Sequence, residues 1–407
     1  MNILLLNHYA GSPDMGMEFR PYYLAREWVK MGYNVRILAG DYSHLRVRNP
    51  QVDEDFQNEN IDGIDYTWIK TGTYSGNGVK RAFSMFRFVG KIMKNAKMIA
   101  EQWKPDVVIA SSTYPLDTFA AQKIKKLTGA KYIHEVHDMW PITLIELGGM
   151  KKSNPFVVLM QISENSFCKK SDKVVSLLCN AKDYFVKHGM APEKFVNIMN
   201  GVVLNEWENP DPLPEPHKTV IDGLKKQGKF LVGFFGSITR SYAINYLIEA
   251  IQKLGDDRVA FIIVGDGNQL NELKKLASKT KSDCFYFLPK ISKKSIPSLL
   301  DEMDCLYVGA LHNDMFRFGI CMNKLFESMM SGKPILYAVS APNNFITDYD
   351  CGISVEPESA DALVDGLKRM MSLTEDDRVR MGQNGQNAIL NNYTYDKLAE
   401  QFAELFN

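Results

Sequence analysis

Short apolar runs of strand length recur along this chain, each followed by a longer amphipathic stretch. In the first half they fall at 3–6, 35–39, 107–110, 132–135 and 174–177. Strands alternating with helical sequence build βαβ units, and βαβ units build a parallel sheet. The rhythm breaks once, at NEWENPDPLPEPHK, where Pro210, Pro212, Pro214 and Pro216 forbid a continuous helix or a central strand. It then restarts at 230–235, 261–264, 285–288, 305–308, 335–337 and 353–355. The pattern predicts an α/β chain of two Rossmann-like, doubly wound domains, 1–205 and 218–392, joined by a proline-rich linker at 206–217. A closing helix at 393–407, with Leu398, Phe402 and Leu405 at helical spacing, is expected to pack across the domain junction. Ligands of such sheets sit outside the carboxyl ends of the strands, so the expected place for chemistry is a cleft between the domains.

The 407 residues, 45% apolar and 24% charged, have the balance of a globular protein of two or three domains. Lys and Arg total 48 and so do Asp and Glu, which excludes nucleic-acid binding driven by a global positive field. The six cysteines show no C-x-x-C and read as reduced core thiols. MNILLLNHYAG lacks a basic lead and a long apolar core, and reads as a buried first strand rather than a signal peptide. No window reaches the roughly 18 apolar residues of a membrane span. The expected setting is the cytoplasm, at the inner face of a membrane.

Candidate functional residues cluster after predicted strands. Gly16 lies between the first strand and a helix striped by Leu24, Trp28 and Met31, where a glycine admits a ligand close to backbone. Glu18 and Arg20 beside it either touch substrate or cap and solvate the helix start. HEVHDMWP puts His137 and Asp138 in a polar, aromatic loop suited to a ligand, with His134 assigned to the core; no second ligand pair supports zinc at His-x-x-His. In GFFGSITR, Gly236 and Arg240 suit a phosphate, against the alternative of a surface arginine at a helix start. GDGNQL is half of a dinucleotide fingerprint and reads as a tight turn.

FRFGICMNKLFESMMSGKPI predicts a helix beginning near 320–322 and ending at Gly332. Lys324, near its first turn, suits a diphosphate, and Glu327, three residues on, suits a ribose diol; the alternative is a surface Lys–Glu pair. The acids of 53–55 read as solvated surface. The stretch 78–104 carries Lys80, Arg81, Arg87, Lys91, Lys94, Lys97 and Lys104 interleaved with Phe83, Met85, Phe86, Phe88, Val89, Ile92 and Met93. It reads as a basic amphipathic helix of the kind that lies on anionic membranes, or as one packed on the sheet with its basic face in water.

In order along the chain, GMEFRPYYLA, HEVHDMWP, NGV, GSITR, VGDG, NKLFESMMSGKPI and CGISVEP resemble the GT-B glycosyltransferases of family 4, retaining enzymes that use nucleotide sugars. The first, second and sixth of these are similar to the subgroup of N-acetyl-L-fucosamine transferases of bacterial surface-polysaccharide assembly. The resemblance implies that Gly16 admits a donor or acceptor phosphate and that His137 faces the donor sugar. It implies that Arg240 and Lys324 clamp the diphosphate, with Gly236 beside them, and that Glu327 binds ribose. The family's Glu-x7-Glu motif is incomplete, with Gly319 in the first place. The backbone from Gly319 through Ile320 to Asn323, with the Asn323 side chain, is expected to take over, while Glu18, Arg20 and Asp138 contact acceptor or sugar. No metal or cofactor is implied. The implied donor is a UDP-sugar, N-acetylated, and the implied acceptor a polyprenyl-diphosphate-linked glycan reached from an anionic membrane through 78–104. The competing readings are a nucleotide-sugar epimerase or hydrolase on the same fold, and a non-catalytic membrane-associated protein that binds nucleotide sugars.

Overall fold

A computed structural model describes residues 1–16, 20–76, 78–279 and 284–407. The chain forms two units, 1–199 with 395–407, and 200–394. The first holds an eight-stranded sheet of order β3-β4-β2-β1-β5-β6-β7-β8. Its strands are β1 (Asn2–Leu6), β2 (Asn34–Gly40), β3 (Gln57–Ile61), β4 (Ile64–Ile69), β5 (Val107–Ala110), β6 (Lys131–Val136), β7 (Lys173–Ser176) and β8 (Phe195–Asn197). All pairings are parallel except β3 on β4, an edge hairpin. The central strands β1 and β5 are buried almost throughout, as a sheet covered by helices on both faces requires.

The second unit holds a six-stranded parallel sheet of order β11-β10-β9-β12-β13-β14. Its strands are β9 (Phe230–Ser237), β10 (Val259–Asp266), β11 (Phe285–Leu288), β12 (Cys305–Gly309), β13 (Ile335–Ala338) and β14 (Gly352–Ser354). Alternate residues of β9 and β10 feed separate apolar clusters. Val232, Phe234, Phe261 and Ile263 meet Leu247, Ile251 and Leu363 in one; Leu231, Phe235, Ile262 and Val264 meet Ile221, Leu299 and Leu300 in the other.

Three expectations change in detail. The proline-rich segment is not a free linker: Asn205–Glu208 and Glu215–Lys226 are helices, and Asp211 is tied by its N–H to the Lys294 carbonyl and by its carbonyl to the Ser298 hydroxyl. The second unit therefore begins at 200 rather than 218. The closing helix Tyr395–Ala403 belongs to the first unit, where Trp28 Nε1 donates to the Ala399 carbonyl at 3.1 Å and its indole meets Phe402 and Phe406 edge-on. Finally, 78–104 is two helices, Val79–Lys94 and Ala96–Trp103, meeting at Asn95. Met85, Phe88, Val89 and Ile92 pack into the core, so most of its apolar face is already occupied.

Candidate functional site

In the second unit the sequence candidates converge where β9 ends. The helix Asn323–Met330 starts behind Met322, whose extended backbone lets the chain enter, with no side chain capping the first turn. Lys324, one residue in, is 7% exposed. Its Nζ sits 3.7 Å from the Phe234 ring centroid and 3.6 Å from that of Tyr242, with no hydrogen-bond partner among the described residues. Two ring faces attract the ammonium, yet burial prevails and holds its pKa down to about 7, with Glu327 opposing. Gly236 completes the group: a Cβ there would lie 3.5 Å from Lys324 Cε. A buried, unpaired ammonium beside helix N–H groups is a place for a diphosphate. The surface Lys–Glu pair is excluded by this geometry. Arg240 is exposed in the turn Arg240–Tyr242, two residues before the tyrosine that flanks Lys324.

Glu327 lies one turn deeper, with burial raising its pKa to about 6 against the charge of Lys293. Lys293 is itself paired with Glu206 at 2.9 Å. Neither residue was singled out from sequence, since both lie in segments with no motif. A cavity of about 410 Å³ opens at Gly236, bounded also by Ser237, Asp266, Gly267, Lys290 and Ile291. The GDG segment is therefore a cavity wall as well as a turn.

The loop before the helix corrects one expectation. Gly319 has φ 99° and ψ 175°, a conformation open essentially to glycine alone, and its N–H donates to the Phe316 carbonyl at 2.8 Å. The Ile320 N–H donates to Asn343 Oδ1, and the Asn343 amide returns a bond to the Ile320 carbonyl, both at 2.9 Å. The N–H groups of Gly319 and Ile320 are thus already engaged and offer nothing to a phosphate. What this segment can contribute comes from the helix start at Asn323, which is exposed, and Lys324.

In the first unit the loop after β6 carries His137, and its partners define a second constellation. His137 Nε2 lies 2.9 Å from Ser111 Oγ and 3.1 Å from Glu135 Oε2. Asp138 beside it is exposed. His134 belongs to the core as expected: its ring stacks on Phe167 at 3.8 Å, Nδ1 meets the Tyr132 hydroxyl, and burial holds its pKa down to about 3. Arg20 is not a substrate contact. It is 5% exposed, and its Nε and Nη2 both donate to Glu135 Oε1, at 3.0 and 2.9 Å. Glu18 lies outside the described residues. Gly16 has φ 78°, and a Cβ would fall 2.8 Å from Val47 Cγ2. The turn and Val47 require this glycine without any ligand.

Residues 15–206 match the profile of Glycosyltransferase Family 4, and residues 218–388 that of Glycosyl transferases group 1. Between them the two profiles cover most of the chain, and its two parallel-sheet Rossmann-like units have the GT-B fold of glycosyltransferases. A relative designated glycosyltransferase WbjE, from Pseudomonas aeruginosa, is 24% identical over 259 residues, 64% of this chain and 62% of its own length. One designated colanic acid biosynthesis glycosyl transferase WcaI, from Escherichia coli K12, is 24% identical over 297 residues, 69% of this chain and 70% of its own. Among solved structures, that of Anabaena Alr3699/HepE in complex with UDP-glucose superposes with a TM-score of 0.62 at 16% identity. That match covers 99% of this chain and 98% of the other, and shows the fold.

Proposed function

We propose that the protein is a retaining glycosyltransferase moving an N-acetylated sugar from a UDP-sugar to a polyprenyl-diphosphate-linked glycan in surface-polysaccharide assembly, as in the N-acetyl-L-fucosamine transferase subgroup. The observation that carries the donor half is Lys324, buried with no acid bonded to it, at a helix start beside Gly236. Cleaving a sugar–phosphate bond builds negative charge on the departing diphosphate and positive charge on the anomeric carbon. Lys324, the helix N-terminus and Arg240 supply the complementary charge, and Glu327 accepts hydrogen bonds from the ribose diol. His137 meets the donor sugar, and Asp138 the sugar or acceptor. No carboxylate nucleophile is assigned; the incoming hydroxyl attacks from the face the phosphate leaves, and the phosphate takes its proton. Two likenesses favour this reading: to a protein named for colanic acid biosynthesis and to a fold solved with UDP-glucose.

The acceptor half rests on the helix Val79–Lys94. Exposing its core face would cost about 1.5–3 kcal/mol for each large apolar side chain, so that face is not available to lipid. Val79, Phe83 and Phe86 remain, 73%, 57% and 40% exposed on one stripe, with Lys80, Arg87 and Lys94 also exposed. This outer stripe is the surface that meets an anionic membrane on the cytoplasmic side.

A thermal-shift panel of UDP, GDP, dTDP, ADP and NAD, with and without EDTA, tests the donor assignment. A stabilisation by UDP that EDTA leaves intact is the expected result. Stabilisation by NAD alone, or only with metal, rejects it. Sugar release from the donor at full rate without acceptor turns the reading to hydrolysis.

A further inference from the structure

We propose that Glu135 is a positioning residue for His137, fixing the tautomer and orientation of the ring for sugar transfer; this rests on the role given to His137 above. The carboxylate is 1% exposed and spans two sets of bonds. Oε1 takes both donors from Arg20, whose guanidinium also donates to the Met199 carbonyl at 2.6 Å and the Ile198 carbonyl at 3.0 Å. The two carbonyl bonds hold the rigid, planar guanidinium in place, and its Nε and Nη2 bonds in turn fix Oε1 of Glu135. The charge of Arg20 is the main attraction that keeps the carboxyl ionised despite burial.

Oε2 faces the other way. It accepts the Ser111 hydroxyl at 2.6 Å and lies 3.1 Å from His137 Nε2. An ionised carboxylate only accepts, and Ser111, having given its proton to Glu135, only accepts from the ring. Both partners of Nε2 therefore demand a hydrogen on it. The proton sits on Nε2 in neutral imidazole, and the carboxylate further stabilises imidazolium. A buried ion pair that served only folding would need Arg20 and Glu135. Here the second oxygen is committed to a histidine side chain, 10% exposed, in the loop that follows a strand's carboxyl end. Carboxylate, imidazole and a third orienting group is the arrangement by which proteins hold a histidine for proton or hydrogen-bond work on a substrate. Among the described residues, Asp117, His134 and Asp138 also interact electrostatically with His137, while Arg20 acts on Glu135.

The test combines ¹⁵N-histidine NMR with a mutant cycle on the full chain. In the wild type the His137 resonances should report the Nε2–H tautomer. Glu135→Gln should lower kcat about 100-fold, leave stabilisation by UDP unchanged, and move the His137 limb of the pH–rate profile to lower pH. Glu135→Asp should restore part of the rate. In a His137→Ala background, Glu135→Gln should change the rate less than about twofold, because its effect passes through the ring. Ser111→Ala carries the same cycle if Glu135→Gln does not fold for want of a partner to Arg20. An Nδ1–H tautomer, or an undiminished effect in the His137→Ala background of an active enzyme, overturns the inference alone. Absence of transfer from every donor by the wild type, with Nε2–H observed, overturns the transfer reading and the catalytic part of this inference together.

Discussion

Lys324 shows how a single side chain ties sequence to chemistry. Its burial disfavours the ammonium while its nearest neighbours, two aromatic rings, favour it, and burial prevails, holding the pKa to about 7. The sign follows directly. Between that pKa and the ordinary lysine value, the unfolded chain binds a proton that the folded chain lacks, so this residue makes stability rise with pH across that window. A bound diphosphate favours the charged form, so donor binding takes up a proton above about pH 7. Stabilisation by UDP should shrink as pH rises from 6 to 9, and Lys324→Met should make it small and flat; a pH-independent shift in the wild type would reject the assignment. Lys324 and Glu327 were legible as helix neighbours because their spacing sits in one short segment, while the roles proposed for them came from the family resemblance. Arg20 was misread because its partner, Glu135, is 115 residues away, and nothing local marks a carboxylate that a strand will bury.

The loop from 310 to 322 and the helix after it act as an element, and Gly319 sets their geometry. Where the family's motif has an acid, this backbone has a φ that side chains rarely adopt, and the Phe316 carbonyl and Asn343 side chain lock it from both sides. The missing acid is therefore not a simple loss to be restored. Gly319→Glu should destabilise the chain by about 1–3 kcal/mol, the range for backbone held in a sparsely populated region, and should lower transfer rather than raise it. Unchanged thermal stability with faster transfer would show that the loop accepts the acid. The spacing of the motif exposed the departure, but only the dihedral angle explains it. In the same way, the spacing predicted a basic amphipathic stretch at 78–104, whereas the fold decided which apolar residues enter the core and which stay outside.

At the scale of the whole chain, the outer stripe of Val79, Phe83 and Phe86 leaves three large apolar side chains of one helix open to a partner. Replacing all three by serine should reduce sedimentation with anionic liposomes at least about tenfold by removing apolar area that inserts, with stabilisation by UDP unchanged. Equal sedimentation would remove the membrane from the proposal. The sequence by itself determined the two parallel-sheet domains, the buried strands, the core assignment of His134 and the placing of Lys324 and Glu327 as neighbours on one helix. These depend on periodicity and spacing within a few turns of chain, where local geometry brings residues together. The tertiary structure alone decided that Arg20 serves Glu135, that Ile320 is bound to Asn343, that the proline-rich segment packs on the second unit, and that the last helix returns to Trp28. Each joins residues far apart in sequence, whose pairing is set by how strands are ordered in a sheet and not by any pattern along the chain.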